Sequence, residues 1–270
     1  MTKSIERPAA GAAMREAVMP AYQKIASAIE QSIVTGRLRP GDPVGTEAEL
    51  VEQFGVNRST VREGIRLLER SGLIRRESGR RLFACLPACR DVSGRMSHAL
   101  LIHGASFREV WEATHALETA SVGYAALRAT PEDVALLREN VDRTMNETDP
   151  DALCSLDMQF HGLIANASRN RALQLSRDAV TNLCFSSVTL ILGKVKPAAA
   201  RLREAHTRIF QAIESRDPEL ARMWMRRHTN DWLKGYGKAG RDIEAPVNRE
   251  EAGQILSPHP AAPVRRRRAA

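Results

Sequence analysis

Between Pro20 and Gly36, Ile25, Ile29 and Ile33 recur at every fourth position, the spacing of one apolar helical stripe, and Gly36 stands where such a helix ends. Pro40-Gly41 then turns the chain. Thr46 with Glu49 forms a capping-box pattern for a short second helix that carries Leu50, Val51 and Phe54 and stops at Gly55. A third helix starts near Asn57, runs through Val61, Ile65 and Leu68, and ends at Gly72. Leu73-Ile74-Arg75-Arg76 and Leu82-Phe83-Ala84-Cys85 read as two short strands around Ser78-Gly79-Arg80-Arg81. Helix, helix, tight turn, helix and hairpin predict a winged helix-turn-helix over residues 20–86, preceded by a disordered arm, 1–19.

Residues 87–97 read as a linker. From there the pattern is helical. Ser106 and Glu109 form a second capping box, for a helix reaching Arg128. Thr130-Pro131-Glu132-Asp133 places a cap, then proline at the first helical position, then acids in the first turn; Asp149-Pro150-Asp151 and Asp217-Pro218-Glu219 repeat the arrangement. No strand-period run stands out between 98 and 235, so this stretch predicts an all-α bundle of six or seven helices. The fold class is therefore mainly α: a winged helix-turn-helix with a small β wing, then a helical bundle. Residues 236–270, ending SPHPAAPVRRRRAA, read as a basic disordered tail, in which Arg265–Arg268 is either a further phosphate contact or plain solvated chain.

Charge adds a partner to this outline. Forty basic residues against 32 acidic ones leave +8, which favours an anionic partner, nucleic acid first. Aromatic residues are only 4%, which weighs against a base-stacking RNA surface. Apolar runs fall short of the ~20 residues of a membrane span, and MTKSIERPAAGAAMREAV lacks the apolar core of a secretion signal, so a cytoplasmic protein is expected. Cysteines 85, 89, 154 and 184 are too scattered for a disulfide framework, and the one C-x3-C pair lacks a second pair for a zinc ribbon. They read as small buried hydrophobes.

The third helix carries the DNA-reading chemistry. Arg58, Arg62 and Arg66 lie at i, i+4 and i+8 and share a face, while Val61, Ile65 and Leu68 anchor the adjoining face to the core. Asn57, Ser59 and Thr60 crowd its first turn, where free backbone N–H groups suit phosphate. Arginine can grip a guanine edge or clamp phosphate, and Gly79-Arg80-Arg81 makes a basic wing tip for the DNA backbone or minor groove. Double-stranded operator DNA is the expected partner.

Residues 20–86, through IVTGRLRPGD, TEAEL and FGVNRSTVREGIRLLERSGLIRR, resemble the DNA-binding domain of GntR-family bacterial transcription regulators. The resemblance implies operator contacts from Arg58, Ser59, Thr60 and Arg62, with Gly79 as the wing glycine. Two positions depart from the family pattern: Ala48 stands where the second helix often has a basic residue, and Arg81 where the wing usually has glycine.

In the second domain, Asp157 and His161 lie at i, i+4, with His206 and His228 in later helices. One carboxylate and three imidazoles would suit Zn, Ni, Mn or Co. By spacing alone, histidines on mixed helix faces are more often core or surface residues. Residues 98–235, however, resemble the FCD ligand-binding domain of the FadR-like branch of that family. Its metal motif is D-x3-H, a histidine in H-x2-I-x3-I, and a histidine near the end of the last helix. Asp157, His161, His206 and His228 fill all four positions, so the resemblance implies a divalent transition metal, Zn or Ni first. It also implies a homodimer and a small effector, a carboxylate foremost.

FCD domains that bind organic acids usually carry an arginine four residues before the glutamate matching Glu118; here Thr114 stands there, with His115 beside it. Thr114 and His115 are the expected pocket residues. His98, His103 and His115 could line that pocket, although they read more readily as surface or packing residues; Trp111, Met223, Trp224 and Trp232 read as core. The resulting expectation is an effector-responsive repressor rather than an enzyme. A metal-dependent hydrolase on a DNA anchor is the alternative; H-E-x-x-H is absent and no glutamate is placed by motif as a base. An architectural DNA-binding protein is a third.

Overall fold

A computed structural model describes residues 19–77, 81–87 and 89–248. The chain separates into two compact units, one up to Asp91 and one from Val92. The wing tip residues Gly79 and Arg80, the arm 1–18 and the tail with Arg265–Arg268 lie outside the described residues.

In the first unit, helix α1 (Ala21–Val34) buries Ile25 and Ile29, and the chain leaves it through Gly36 at φ +75°. Helix α2 (Glu47–Phe54) is held by the full capping box. Glu49 N–H donates to Thr46 Oγ1 (3.2 Å), and Thr46 N–H donates to Glu49 Oε2 (2.8 Å). Gly55 closes it in the left-handed region that glycine enters freely. Helix α3 (Arg58–Arg70) turns Val61, Ile65 and Leu68 into a core shared with Ile25, Ile29, Leu50 and Leu82. At Gly64, α1 and α3 come so close that an added Cβ would stand 2.9 Å from the Tyr22 carbonyl oxygen.

The sequence pattern predicts two strands and the sheet has three. Strand β1 (Pro43–Thr46) pairs antiparallel with β3 (Arg81–Ala84), which pairs antiparallel with β2 (Ile74–Arg76), in the order β1-β3-β2. Four residues containing a proline and a glycine show no strand pattern of their own; β1 exists because β3 supplies its hydrogen bonds.

The second unit holds α4 (Cys89–Ile102), α5 (Phe107–Arg128), α6 (Pro131–Asn146), α7 (Pro150–Ala167), α8 (Arg171–Thr181), α9 (Phe185–Lys194), α10 (Ala198–Glu214) and α11 (Pro218–Lys238). The predicted caps are in place: Ser106 and Thr130 with full capping boxes, Asp149 and Asp217 ahead of prolines at the first helical turn. Phe160, Ile164, Val122, Ile209, Ile213 and Met225 lie at the centre of the main core.

Two segments differ from expectation. Most of the expected linker, 87–97, belongs to α4, where the Ser97 hydroxyl donates to the Ala179 carbonyl (2.6 Å) and Ser93 is buried. A serine- and glycine-bearing run reads as linker locally, yet it gains buried partners from α8 and its following loop. The expected tail begins too early as well. Helix α11 continues to Lys238, and 243–247 bond along the start of α5: Phe107 N–H to Ala245 O, Arg108 N–H to Ile243 O, and Val247 N–H to Ala105 O. Val247 is buried there with Leu101 and Val110.

Candidate functional site

Asn57 caps α3 through its Oδ1, which accepts from Thr60 N–H (2.8 Å), the Ser59 hydroxyl (2.7 Å) and the Thr60 hydroxyl (2.8 Å). The cap sets the first turn of α3, from which Arg58 and Ser59 stand exposed. Arg62 is exposed too, its Nε donating to Glu47 Oε2 (3.0 Å), while Arg76 Nη2 donates to Glu47 Oε1 (3.1 Å). These two guanidinium groups, that of Arg62 foremost, hold the Glu47 carboxyl below its usual range against the opposing effect of burial. Glu47 at the start of α2 thus orients Arg62 on the neighbouring helix. Arg76 is a part of this surface that the helix pattern gives no reason to select, because only the β2–β3 pairing brings it beside Glu47.

The second unit converges on a polar cluster inside an apolar bundle. Asp157 and His161 project from α7, His206 from α10 and His228 from α11, and one donor atom from each lies within 4.8 Å of all the others. Asp157 Oδ1 stands 3.1 Å from His206 Nε2, 3.5 Å from His228 Nε2 and 3.7 Å from His161 Nε2. His161 Nε2 and His228 Nε2 are 3.1 Å apart. Donors about 2.1 Å from a single ion have separations of this order. The donor set, three imidazole nitrogens and a carboxylate oxygen, therefore fits a divalent transition ion. Asp157, His161 and His206 are buried, and His228 is partly so.

The surroundings orient these donors. The Phe160 ring stacks on His206 with centroids 3.9 Å apart. Glu118 of α5 places Oε2 at 2.9 Å from His161 Nδ1, the carboxylate–histidine arrangement that turns the other ring nitrogen inward. Its Oε1 accepts from Arg177 Nε of α8 at 2.6 Å. Burial raises the Glu118 pKa, but the charges and hydrogen bonds of His161 and Arg177 outweigh it and bring it down to about 2. Asp157 likewise lies well below the usual range: burial opposes, and hydrogen bonds from His206 and His228 prevail. Burial carries His206 down to about 4, so it is neutral near pH 7, the form a metal ligand needs. His161 is raised, because Glu118 and Asp157 overcome its desolvation.

A cavity of about 90 Å³ adjoins the cluster. Its lining includes the polar Thr114, Glu118, Asp157, His161, Arg177 and His228 and the apolar Val188, Ile191, Leu192 and Leu202. Of the two expected pocket residues, Thr114 lines it and His115 does not. The His115 Nδ1 lies 2.7 Å from the hydroxyl of Thr229, which itself lines the cavity. His98 and His103 are exposed. Trp232, expected as core only, also lines the cavity, with Nε1 donating to Ser187 Oγ (3.0 Å). Arg177 is the residue that sequence spacing misses; the one sign is an arginine at an inward position of α8, beside the buried Val180 and Thr181.

A winged helix-turn-helix joined to an all-α unit with a cavity defines the class of two-part transcription regulators. Residues 21–83 match the bacterial regulatory proteins, gntR family, and residues 109–231 match the FCD domain. The chain is 27% identical to the Glc operon transcriptional activator of Escherichia coli K12, over 86% of this chain and 93% of that one. It is 29% identical to the HTH-type transcriptional regulator LutR of Bacillus subtilis, over 76% of this chain and 97% of that one. A Streptococcus agalactiae GntR structure shares the fold, with a TM-score of 0.56 at 22% identity, over 78% of this chain and 98% of that one. The chain belongs to the GntR family, in its FadR-like branch, and is a transcriptional regulator, not an enzyme. The hydrolase alternative has no support among these relatives. Among the described residues, no helix is long and apolar enough to cross a membrane.

Proposed function

We propose that the chain is a cytoplasmic, effector-responsive repressor that binds a palindromic operator as a homodimer. Asn57 sets the recognition helix; Arg58, Ser59, Thr60 and Arg62 contact the DNA, joined by Gly79 and Arg80 of the wing. Two-fold symmetric half-sites are the natural target of a helix-turn-helix dimer. Asp157, His161, His206 and His228 hold one divalent ion, Zn or Ni before Mn or Co. When bound, the ion supplies a Lewis-acid position to which a carboxylate oxygen of the effector can attach.

The observation that carries this reading is the meeting of four metal-type donors from three helices, three of them, Asp157, His161 and His228, in the lining of a cavity. An effector changes DNA affinity only if it binds the DNA-competent and DNA-incompetent states unequally.

Selection of bound fragments from a random duplex library, followed by a reporter carrying the selected operator, tests the reading. Expected are a two-fold symmetric sequence, silencing of the reporter, and relief by a small carboxylate. The Escherichia coli relative is named an activator, so stimulation by the chain would reverse the proposed sign. Absence of any enriched sequence would remove operator binding itself.

A further inference from the structure

Arg177 is 4% exposed, and its guanidinium is only partly used. Nε donates to Glu118 Oε1 (2.6 Å) and Nη1 to Asp178 Oδ1 (3.0 Å), while Nη2, out of contact with water, has no acceptor. A charged donor left unpaired in the interior is costly and calls for an explanation. Arg177 lines the same cavity as Asp157, His161 and His228 of the cluster, together with the apolar Val188, Ile191, Leu192 and Leu202. From these observations we infer that Arg177 anchors the effector, that its free Nη2 binds a carboxylate, and that the ligand class is a short monocarboxylate. The inference rests on the metal-binding reading proposed above and adds to it the residue that selects the ligand.

Three features converge on that class. The first is the donor set: a buried guanidinium with one N–H left unpaired, in the lining of a cavity that also carries Asp157, His161 and His228, suits two oxygens of one anion, one for the arginine and one for the ion. The second is charge. With a divalent ion in place, the buried groups are the ion and Arg177 against Asp157 and Glu118, which leaves one positive charge for the ligand to balance. Asp178 is 40% exposed, and Arg201 and Asp231, the other charged residues of the wall, pair with each other at 3.9 Å and are also exposed. The third is size. The cavity, at about 90 Å³, lies well below the ~300–1,000 Å³ of clefts that take drug-sized ligands, and Val188, Ile191 and Leu202 in its lining suit the short apolar body of an acid of few carbons.

The position also explains the departure at Thr114. A long basic side chain at 114 would project from α5 into this space; here Thr114 is short, its hydroxyl 3.9 Å from Cys184 Sγ, and the cation arrives from α8 instead. Because Glu118 links Arg177 to His161, the ligand anchor and the metal ligand share one carboxylate.

The test is calorimetric titration of the full-length, metal-loaded chain with acetate, glycolate, lactate and pyruvate, and with the corresponding amides. Arg177→Gln and Arg177→Lys are titrated in parallel, with metal content and thermal melting measured on each. Arg177→Lys keeps the charge beside Glu118 and covers the case in which Arg177→Gln fails to fold. At least one acid is expected to bind while its amide does not, and a folded, metal-replete Arg177 variant is expected to lose ~10-fold or more in affinity, the loss of one charge-assisted hydrogen bond. Equal affinity in metal-replete wild type and variants would overturn the assignment, as would no binding of any acid to metal-replete wild type at about 10 mM. If the wild type takes up no metal, the four-ligand reading falls. The same titration on the metal-free chain then decides Arg177 alone: acid binding that depends on it keeps the anchor, and any other result removes it.

Discussion

Glu118 Oε2 stands 2.9 Å from His161 Nδ1, in the interior of the bundle and on the side of the imidazole away from the other three donors. The carboxylate fixes which ring nitrogen faces the cluster and makes that nitrogen more basic. Glu118→Gln keeps the shape and removes the charge. Metal affinity is expected to fall ~10–100-fold, the usual effect of losing such a partner, read by competition with a chromophoric chelator. An unchanged affinity would reduce Glu118 to a packing residue.

The donors themselves are expected to be indispensable. Elemental analysis of the purified chain should find close to one divalent ion per chain, and His161→Ala or His206→Ala should lose it. His206 is fully buried against Phe160, so its variant also opens a cavity; His161→Ala is the cleaner comparison. Metal retained in both would eliminate the Asp157/His161/His206/His228 site.

In the DNA-binding unit, Arg62→Ala should weaken operator binding by ~1–3 kcal/mol, measured by fluorescence anisotropy with selected operator DNA. The side chain is exposed and its partner Glu47 lies on another helix, so folding should be little affected. Full affinity in the variant would take Arg62 off the DNA.

Gly64→Ala tests the close crossing of α1 and α3. The added methyl would meet the Tyr22 carbonyl oxygen at 2.9 Å and the Ile25 side chain at 3.3 Å. Backbone cannot yield as a long side chain can, and a destabilisation of ~1–3 kcal/mol is expected. Urea unfolding followed by circular dichroism reads it; a midpoint equal to wild type would mean that the helices separate freely.

Cys154 and Cys184 are buried, and burial pushes both thiols up to about 12. The thiolate is the reacting form, so iodoacetamide at pH 8 should leave both unlabelled in the native chain and label both after denaturation. Peptide mapping by mass spectrometry distinguishes them from Cys85 and Cys89. Rapid native labelling of Cys184 would show that the cavity opens to reagent.

Much of this architecture is legible in the chain itself because its signals are short-range. Thr46-Glu49, Ser106-Glu109 and Thr130-Asp133 each satisfy their helix ends within three residues, and the proline after Asp149 or Asp217 needs no distant partner. The i, i+4 spacing of Asp157 and His161 places both on one face before any neighbour is known, and resemblance to the FCD pattern brings in His206 and His228.

Tertiary structure decided what local pattern leaves open. Strand β1 depends on hydrogen bonds from β3, which lies more than thirty residues on. The 243–247 segment is ordered because the start of α5 accepts and donates along it, although its composition reads as tail. Arg177 is the strongest case. An arginine on an eleven-residue helix is ordinarily solvated; it is buried here because Glu118, 59 residues away, supplies the opposing charge. Capping and periodicity are written within one turn of chain, whereas the burial of a charge depends on which helix faces it.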